Sequence, residues 1–200
     1  MDVETVSFRR RNLPHWYVAG RTFFVTFRLK GSLPASAVSE IRAELDRLLK
    51  LAKTDDEWND AQSRVFLKME AVLDAAKDGP LWLRQPAIAR IVMNGFEWLE
   101  REKGWKVFSL AVMPNHVHCL LRHDDGMTAM LGKHLGVLKG YTAREANVVL
   151  GREGQPFWLG EVFDHWCRSD QKVEAARQYI RQNPVKAGLV GRAEDWPWSR

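Results

Sequence analysis

Two apolar segments joined by a Pro-Asn dipeptide constrain the fold of this 200-residue chain more than any other feature. WKVFSLAVM ends at Met113, and HVHCLLR begins at His116. So short a connection joins antiparallel strands, because parallel strands need a crossover of a dozen or more residues. The sequence therefore predicts a β-hairpin with histidines at the start of its second strand.

The two histidines of this strand, His116 and His118, are separated by one residue. Residues i and i+2 of a strand point to the same face, so the two imidazoles are predicted to lie side by side. Val117 and Cys119 then point to the other face. Two interpretations stay open here: the pair is a coincidence of core or surface residues, or it binds something together. A metal ion would need further ligands, which the spacing alone does not identify.

The remaining segments predict one more strand and several helices. RTFFVTFRLKG is predicted to be a strand that ends near Gly31, because Phe23, Val25 and Phe27 alternate with a second set of side chains. Helical spacing of apolar residues predicts helices over 36–51, 55–77, 86–102 and 127–150. Ser36 is the candidate N-cap of the first of these helices.

The last third of the chain predicts an irregular segment and a final helix. Residues 158–167 are predicted to be extended or irregular. Ser169 or Asp170 is predicted to cap a helix that ends at Asn183, because Pro184 follows. The order of these strands and helices predicts an α+β protein, in which helices pack on a central antiparallel sheet.

Composition restricts the class of protein. The chain is 46% hydrophobic and 28% charged, no apolar run approaches the length of a membrane span, and the start MDVETVSFRRR is unlike a signal peptide. Its length fits a single domain over 1–200. Cys119 and Cys167 form neither a disulfide framework nor a zinc motif, so we expect a reducing cytoplasm. The net charge of +5 permits a polyanionic partner without requiring one.

The segment QYIRQNPVKAGLV, residues 178–190, places Tyr179 and Asn183 four residues apart on one helix face. The ordinary interpretation of a single helical tyrosine is a half-buried packing residue, and an asparagine before a proline is an ordinary helix end. The residues alone leave this choice open.

An ordered set of blocks resembles the REP-associated tyrosine transposases, a branch of the single-tyrosine HUH transposases. MPNHVHCLL resembles the HUH motif, in which a hydrophobic residue separates two histidines, and RQYIRQNPVKAGLV resembles the helix that carries the tyrosine. RRNLPHW with TFFVTFRL, LKGYTAREAN, WLGEVFDHWCRSDQ and EDWPWSR extend the resemblance over nearly the whole chain. The resemblance implies a ferredoxin-like HUH fold, with residues 55–78 as a helical insertion between the first predicted strand and the hairpin.

The resemblance also implies an activity. It is that of a metal-dependent endonuclease and strand transferase, in which a tyrosine attacks single-stranded DNA, forms a 5′-phosphotyrosine and frees a 3′-hydroxyl. It implies Tyr179 as the nucleophile, His116 and His118 as ligands of Mg²⁺ or Mn²⁺, and Asn183 as a further ligand. Tyr17 and Tyr141 lack the asparagine one turn later before a proline.

The implied partner is a single-stranded REP-like hairpin, bound by a monomer or homodimer at the nucleoid, with no membrane contact. The candidates for DNA contacts are Arg9, Arg10, Arg11, Trp16, Lys139, Arg144, Arg168, Arg181 and Lys186. One alternative is a domesticated hairpin-binding protein of the same fold with little turnover, although the intact set of His116, His118 and Tyr179 argues against it. A metal protein unrelated to nucleic acid agrees poorly with so broad a match.

Overall fold

The structure, a computed structural model, describes residues 5–10, 14–75, 79–124 and 130–200, and the side chains from Val18 onward within these ranges, except 55, 56 and 59. The strands are β1 (Thr5–Arg10), β2 (Pro14–Val18), β3 (Phe23–Arg28), β4 (Trp105–Val112), β5 (His116–His123) and β6 (Phe163–Trp166). The helices are α1 (Ala35–Leu51), α2 (Asp55–Ala75), α3 (Pro86–Lys103), α4 (Leu131–Leu150) and α5 (Asp170–Lys186). None of the helices in these ranges is both long and apolar enough to cross a membrane.

A four-stranded antiparallel sheet in the order β4-β5-β3-β6 forms the centre of the fold, and β1 pairs with β2 separately. Strands β4 and β5 are the two arms of the predicted hairpin, with Ala111 opposite His118. On its other side, β5 pairs with β3, which sets Thr26 opposite His118 and Arg28 opposite His116. The predicted α+β class is confirmed, and the histidine pair lies on a central strand.

Helices cover both faces of the sheet, so β3 is buried at every position. Phe23, Val25 and Phe27 belong to a core shared with α3 and α4. On the opposite face, Phe24 belongs to a second cluster with side chains of α2 and α5, among them Phe66. Because the side chains of a strand alternate, His116 and His118 lie on the face that α2 and α5 cover.

Several predicted boundaries differ from the structure. Strands β1 and β2 were not predicted, and β6 lies within the segment expected to be extended or irregular. The predicted helices over 55–77 and 127–150 are observed as α2 and α4, while 76–77 and 127–129 lie outside the described residues. The Ser36 cap is wrong: α1 begins at Ala35, and the carbonyl of Pro34 accepts its first helical bond, from the N–H of Val38 at 3.0 Å.

The final helix begins as predicted but ends later. The side-chain oxygen of Ser169 accepts a hydrogen bond from the N–H of Lys172, so Ser169 is the N-cap. The predicted end at Asn183 is wrong, because α5 continues through Pro184 to Lys186. The proline removes one N–H from the last turn and leaves its carbonyls paired: the Asn183 carbonyl accepts from Ala187 N–H, and the Pro184 carbonyl accepts from Leu189 N–H.

The final residues run along the outer edge of β4. The N–H of Leu110 donates to the carbonyl of Arg200 at 2.8 Å, and the N–H of Arg200 donates back at 2.9 Å. The N–H of Val112 donates to the carbonyl of Trp198 at 2.9 Å. The EDWPWSR block therefore ends in a short antiparallel pairing with the edge of the sheet.

Candidate active site

His116 and His118 converge on one space beneath α2. Their Nε2 atoms lie 2.9 Å apart, and both side chains are fully buried. The period of two in β5 places the rings on one face, and their centroids are 4.5 Å apart. The two histidines named from the sequence are therefore brought together.

Each histidine is oriented by a hydrogen bond at its other ring nitrogen. The Nδ1 of His116 lies 2.6 Å from the side-chain oxygen of Asn115, whose amide nitrogen donates to the carbonyl of Leu73. That oxygen can only accept, so Nδ1 carries the proton and Nε2 keeps its lone pair. The Nδ1 of His118 lies 2.7 Å from the hydroxyl of Thr26, which can donate to it and orients the ring.

Helix α2 contributes two carboxylates to the same space. The Oε2 atom of Glu70 lies 2.8 Å from the Nε2 of His118 and 3.9 Å from the Nε2 of His116. Asp74, one turn later, places Oδ1 4.0 Å from the Nε2 of His116. Helix α2, which lies within the insertion expected over 55–78, thus forms one wall of the site.

Burial and mutual contact shift the pKa values of these groups in different directions. Burial, with His118 next to it, lowers the pKa of His116 to about 3, so its imidazole is neutral. Burial raises the pKa of Glu70, but the neighbouring His118 and His116 lower it by more, so this carboxyl stays ionised. Burial, together with the charge of Glu70, raises the pKa of Asp74 to about 6.

Tyr179 joins this group from α5. Its hydroxyl donates to the Oε2 of Glu70 at 2.8 Å, and its ring centroid lies 5.6 Å from that of His118. Burial and then the charge and hydrogen bond of Glu70 raise the pKa of the phenol above its ordinary value. The hydroxyl is therefore protonated at neutral pH, and the group that accepts its hydrogen bond is a carboxylate.

Asn183, the other residue named on the final helix, is fully buried in the last turn of α5. The expectation that Asn183 ends the helix is wrong, because α5 continues beyond it to Lys186. Neither amide atom has a hydrogen-bond partner among the described residues. A buried amide without a partner is unusual, and its role as a metal ligand stays a prediction.

The side chains present fit a divalent cation. Glu70, His116 and His118 offer one ligand atom each, all within 4.8 Å of one another. Neutral imidazoles and a carboxylate are ordinary donors for such ions. Within the described part of the chain, Glu70 Oε1 and Asp74 Oδ1 are also buried without a hydrogen-bond partner. Burying these carboxylate oxygens without a partner would reduce the stability of the fold unless a cation or a water molecule contacted them.

For the N-terminal candidates for DNA contacts, the structure describes at most the backbone. Arg9 and Arg10 belong to β1 and Trp16 to β2, but their side chains are not described. Arg11 lies outside the described residues. Their predicted contacts with DNA stay predictions.

The other candidates lie in different surroundings. Lys139 is buried, and its Nζ donates to the carbonyl of Leu159 at 2.7 Å. Arg144, Arg168, Arg181 and Lys186 are exposed. The Nζ of Lys186 lies 4.9 Å from the centroid of the Tyr179 ring, so this cation stands beside the candidate nucleophile.

Sequence reasoning missed Glu70 and Asp74. A local signal existed, because Glu70 interrupts the apolar series of Phe66, Met69 and Leu73 on α2. An acid within an apolar helix stripe is a candidate for a buried ligand. The spacing could not show that this stripe packs over the histidines.

Comparison with known proteins agrees with this geometry. The family described as "Transposase IS200 like" matches residues 83–183. The REP-associated tyrosine transposase of Escherichia coli strain K12 is 25% identical over 101 residues, which cover 50% of this chain and 57% of that protein. The match thus spans little more than half the length of this curated relative.

A solved structure shares the fold over almost the whole chain. It is described as a REP-associated tyrosine transposase bound to a REP hairpin, and it aligns with a TM-score of 0.56 at 17% identity. The alignment covers 97% of this chain and 82% of the other. Since the family match spans half of the chain and includes both histidines and Tyr179, this chain belongs to the IS200-like transposase family, and its resemblance to the REP-associated tyrosine transposases is confirmed.

Proposed function

We propose that this chain is a metal-dependent endonuclease and strand transferase that acts on single-stranded, hairpin-forming DNA. One observation carries the proposal: a single carboxylate oxygen, Oε2 of Glu70, contacts both the hydroxyl of Tyr179 and the Nε2 of His118, each at 2.8 Å. The hydroxyl of the candidate nucleophile and the candidate metal ligands therefore face the same position, which one phosphate can occupy.

The proposed reaction exchanges one phosphate ester for another. The Tyr179 oxygen forms a bond to phosphorus while the bond from phosphorus to the 3′-oxygen breaks, which gives a 5′-phosphotyrosine and a free 3′-hydroxyl. The phenol proton leaves toward Glu70, which already accepts its hydrogen bond, and the departing 3′-oxygen gains one proton. A second 3′-hydroxyl can attack the phosphotyrosine and join strands, so the exchange needs no ATP.

A bound Mg²⁺ or Mn²⁺ would polarise the scissile phosphate and neutralise charge in the transition state. His116, His118 and Glu70 would hold it, and Asn183 is proposed as a further ligand. The hydrogen bonds from Asn115 and Thr26 keep the imidazoles in position before the ion binds.

The DNA partner is proposed from family resemblance and surface charge. The solved relative is described as bound to a REP hairpin. In this chain the exposed Arg181 and Lys186 follow Tyr179 on α5, and they would meet phosphates that flank the cleaved bond. A protein with this partner would act at the nucleoid, as a monomer or homodimer.

The test is a covalent-adduct assay. Labelled single-stranded hairpins from the gene's own genomic neighbourhood are incubated with the protein and Mn²⁺ and then run on a denaturing gel. We expect Tyr179→Phe to abolish the adduct and to leave hairpin affinity within a few-fold, because only the nucleophilic oxygen is lost. Tyr141→Phe, which changes an exposed tyrosine of α4, is the matched control.

Two outcomes would overturn this proposal. An adduct that persists in Tyr179→Phe would assign the nucleophile elsewhere. Hairpin binding by the unmodified protein without any adduct or cleavage would favour the alternative, a domesticated binding protein of the same fold.

A further inference from the structure

A second concave site lies beside the candidate active site. The cavity has a volume of about 590 Å³ and lies between the α1–α2 pair, β3 and the loop that precedes β6. Thr26 lines it, and the hydroxyl of the same residue contacts the Nδ1 of His118. The cavity is therefore one side chain away from the histidine pair.

Arg28 places a cation in this cavity. This residue is only 9% exposed, and its Nη1 donates to the hydroxyl of Ser32 at 3.1 Å. No carboxylate of the described residues forms an ion pair with it. A buried charge is normally paired, because leaving water is costly, so the guanidinium is suited to an anion that the chain does not supply.

The position of Arg28 relates this anion to the proposed reaction. Arg28 is directly opposite His116 in the pairing of β3 with β5. Opposite residues of antiparallel strands have Cα atoms about 4.5–5.5 Å apart. Arg28 and His116 therefore project from neighbouring strands on the same face of the sheet, so an anion on Arg28 would lie on the same side of the sheet as a phosphate held at the histidines.

The rest of the lining suits a nucleobase. Trp58, Phe66 and Phe163 supply aromatic surface, and Leu45 and Val65 supply aliphatic surface. A pocket of this size with apolar walls and few polar groups is typical of small-molecule sites. Aromatic faces stack on unpaired bases with little regard to sequence.

Gln62 adds a group that can hydrogen-bond to a base. It lines the cavity and is only 9% exposed. A carboxamide donates and accepts side by side, as the edge of a nucleobase does. Exposed residues of α1, Arg42 and Asp46, also line the cavity, so it opens to solvent.

We propose that this cavity holds one unpaired nucleotide of the DNA strand next to the cleaved bond. Its phosphate binds Arg28, its base packs against the aromatic lining, and Gln62 contacts the edge of the base. The inference rests on the proposed function, since it names a subsite for the same single-stranded substrate. It also gives the α1–α2 pair a second role besides supplying Glu70.

The test measures binding rather than cleavage. Every protein carries Tyr179→Phe, and the probe is a fluorescein-labelled decanucleotide with all four bases at each position, followed by anisotropy. We expect Arg28→Gln to weaken binding about tenfold, because a charge-assisted contact with a phosphate is lost. Arg47→Gln is the matched control, because Arg47 is on α1, does not line the cavity and has a 62% exposed side chain.

A second probe separates phosphate from base. It is a decamer of abasic deoxyribose units, which keeps the phosphates and lacks the bases. Ile41→Trp, which fills the cavity, and Gln62→Leu should each weaken the mixed-sequence decamer about fivefold or more and leave the abasic decamer nearly unchanged. Arg28→Gln should weaken both probes.

The outcomes distinguish this inference from the proposed function. The cavity proposal is wrong and the function stands if the unmodified protein forms adducts on Tyr179 in the covalent-adduct assay, while the Arg28→Gln and Gln62→Leu variants bind the decamer like Arg47→Gln. Equal losses on both probes for Gln62→Leu would also overturn the base contact. Circular dichroism and thermal melting identify a variant that fails to fold, and Gln62→Leu, which exchanges side chains of similar size, still tests the site if Ile41→Trp does fail.

Discussion

At the scale of single residues, Glu70 connects the candidate metal group to the candidate nucleophile. The same oxygen lies 2.8 Å from His118 and accepts the hydrogen bond of Tyr179. The other carboxylate oxygen of Glu70, Oε1, has no hydrogen-bond partner within the described residues. One side chain of α2 is therefore proposed to affect both metal affinity and the state of the phenol.

Replacing this carboxylate tests its part in metal binding. Glu70→Gln keeps the shape of the side chain and removes its charge, so we expect Mn²⁺ affinity, measured by isothermal titration calorimetry, to fall about tenfold or more. Glu44→Gln is the control, because Glu44 is on α1 and its carboxylate pairs with Lys68 rather than with the histidines. Unchanged affinity in Glu70→Gln would remove Glu70 from the ligand set.

Asp74 makes the metal-free protein less stable at neutral pH. Its pKa is about 6 in the folded state, above the ordinary value of 3.8, so the folded protein binds more protons between these limits. Stability therefore falls as pH rises from about 4 to above 6. His116, with its lowered pKa, has the opposite dependence in both the wild type and an Asp74 variant.

We expect Asp74→Asn to stabilise the metal-free protein by about 1–3 kcal/mol at pH 8 and by much less near pH 4. Urea unfolding of both proteins in a chelator, at several pH values, measures the difference. A stability difference that is independent of pH would mean that Asp74 has an ordinary pKa.

At the scale of elements, the two helices for which a serine cap was considered begin in different ways. Ser169 caps α5 through its side chain, whereas Ser36 lies inside α1 and caps nothing. We expect Ser169→Ala to cost about 1 kcal/mol of unfolding free energy, because the N–H of Lys172 loses its partner. Ser36→Ala should be neutral or slightly stabilising, since alanine is the better helix former. Thermal melting checks both, and an equal loss in the two variants would contradict the assignment.

The parts of the fold that follow local rules could be predicted from sequence. The Pro-Asn connection and the period of two gave the hairpin and the paired histidines, and the spacing of four gave the shared face of Tyr179 and Asn183. Glu70 could not be placed, because α2 reaches the histidines through a tertiary contact. Asn115, interpreted as a turn residue, anchors that contact by donating to the carbonyl of Leu73.

At the scale of the whole molecule, the net charge of +5 and the α2–α5 cover over the histidines would shape the approach of the proposed DNA substrate. We expect a single-stranded hairpin to bind better than blunt duplex of the same sequence, because a flexible strand fits beneath the helices more readily. Affinity should fall with salt with a log–log slope of about 0.7 per neutralised phosphate. Anisotropy titrations at several NaCl concentrations measure both effects.

The cations that follow Tyr179 allow a sharper form of this test. Changing Arg181 and Lys186 together to glutamine should reduce the salt slope by about 1.4, because two phosphate contacts are lost. Arg47→Gln should leave the slope unchanged. Equal affinity for blunt duplex, or a slope unaffected by the double change, would contradict the proposed path of the strand.

The pairing of residues 198–200 with β4 limits how the molecule can assemble. An open sheet edge is a template on which a second chain can add a strand. Here the N–H groups of Leu110 and Val112 are already bonded to carbonyls of the chain's own final residues. A homodimer cannot form by continuing the sheet across this side unless residues 198–200 are first displaced, so these residues protect the edge of β4 against edge-to-edge aggregation.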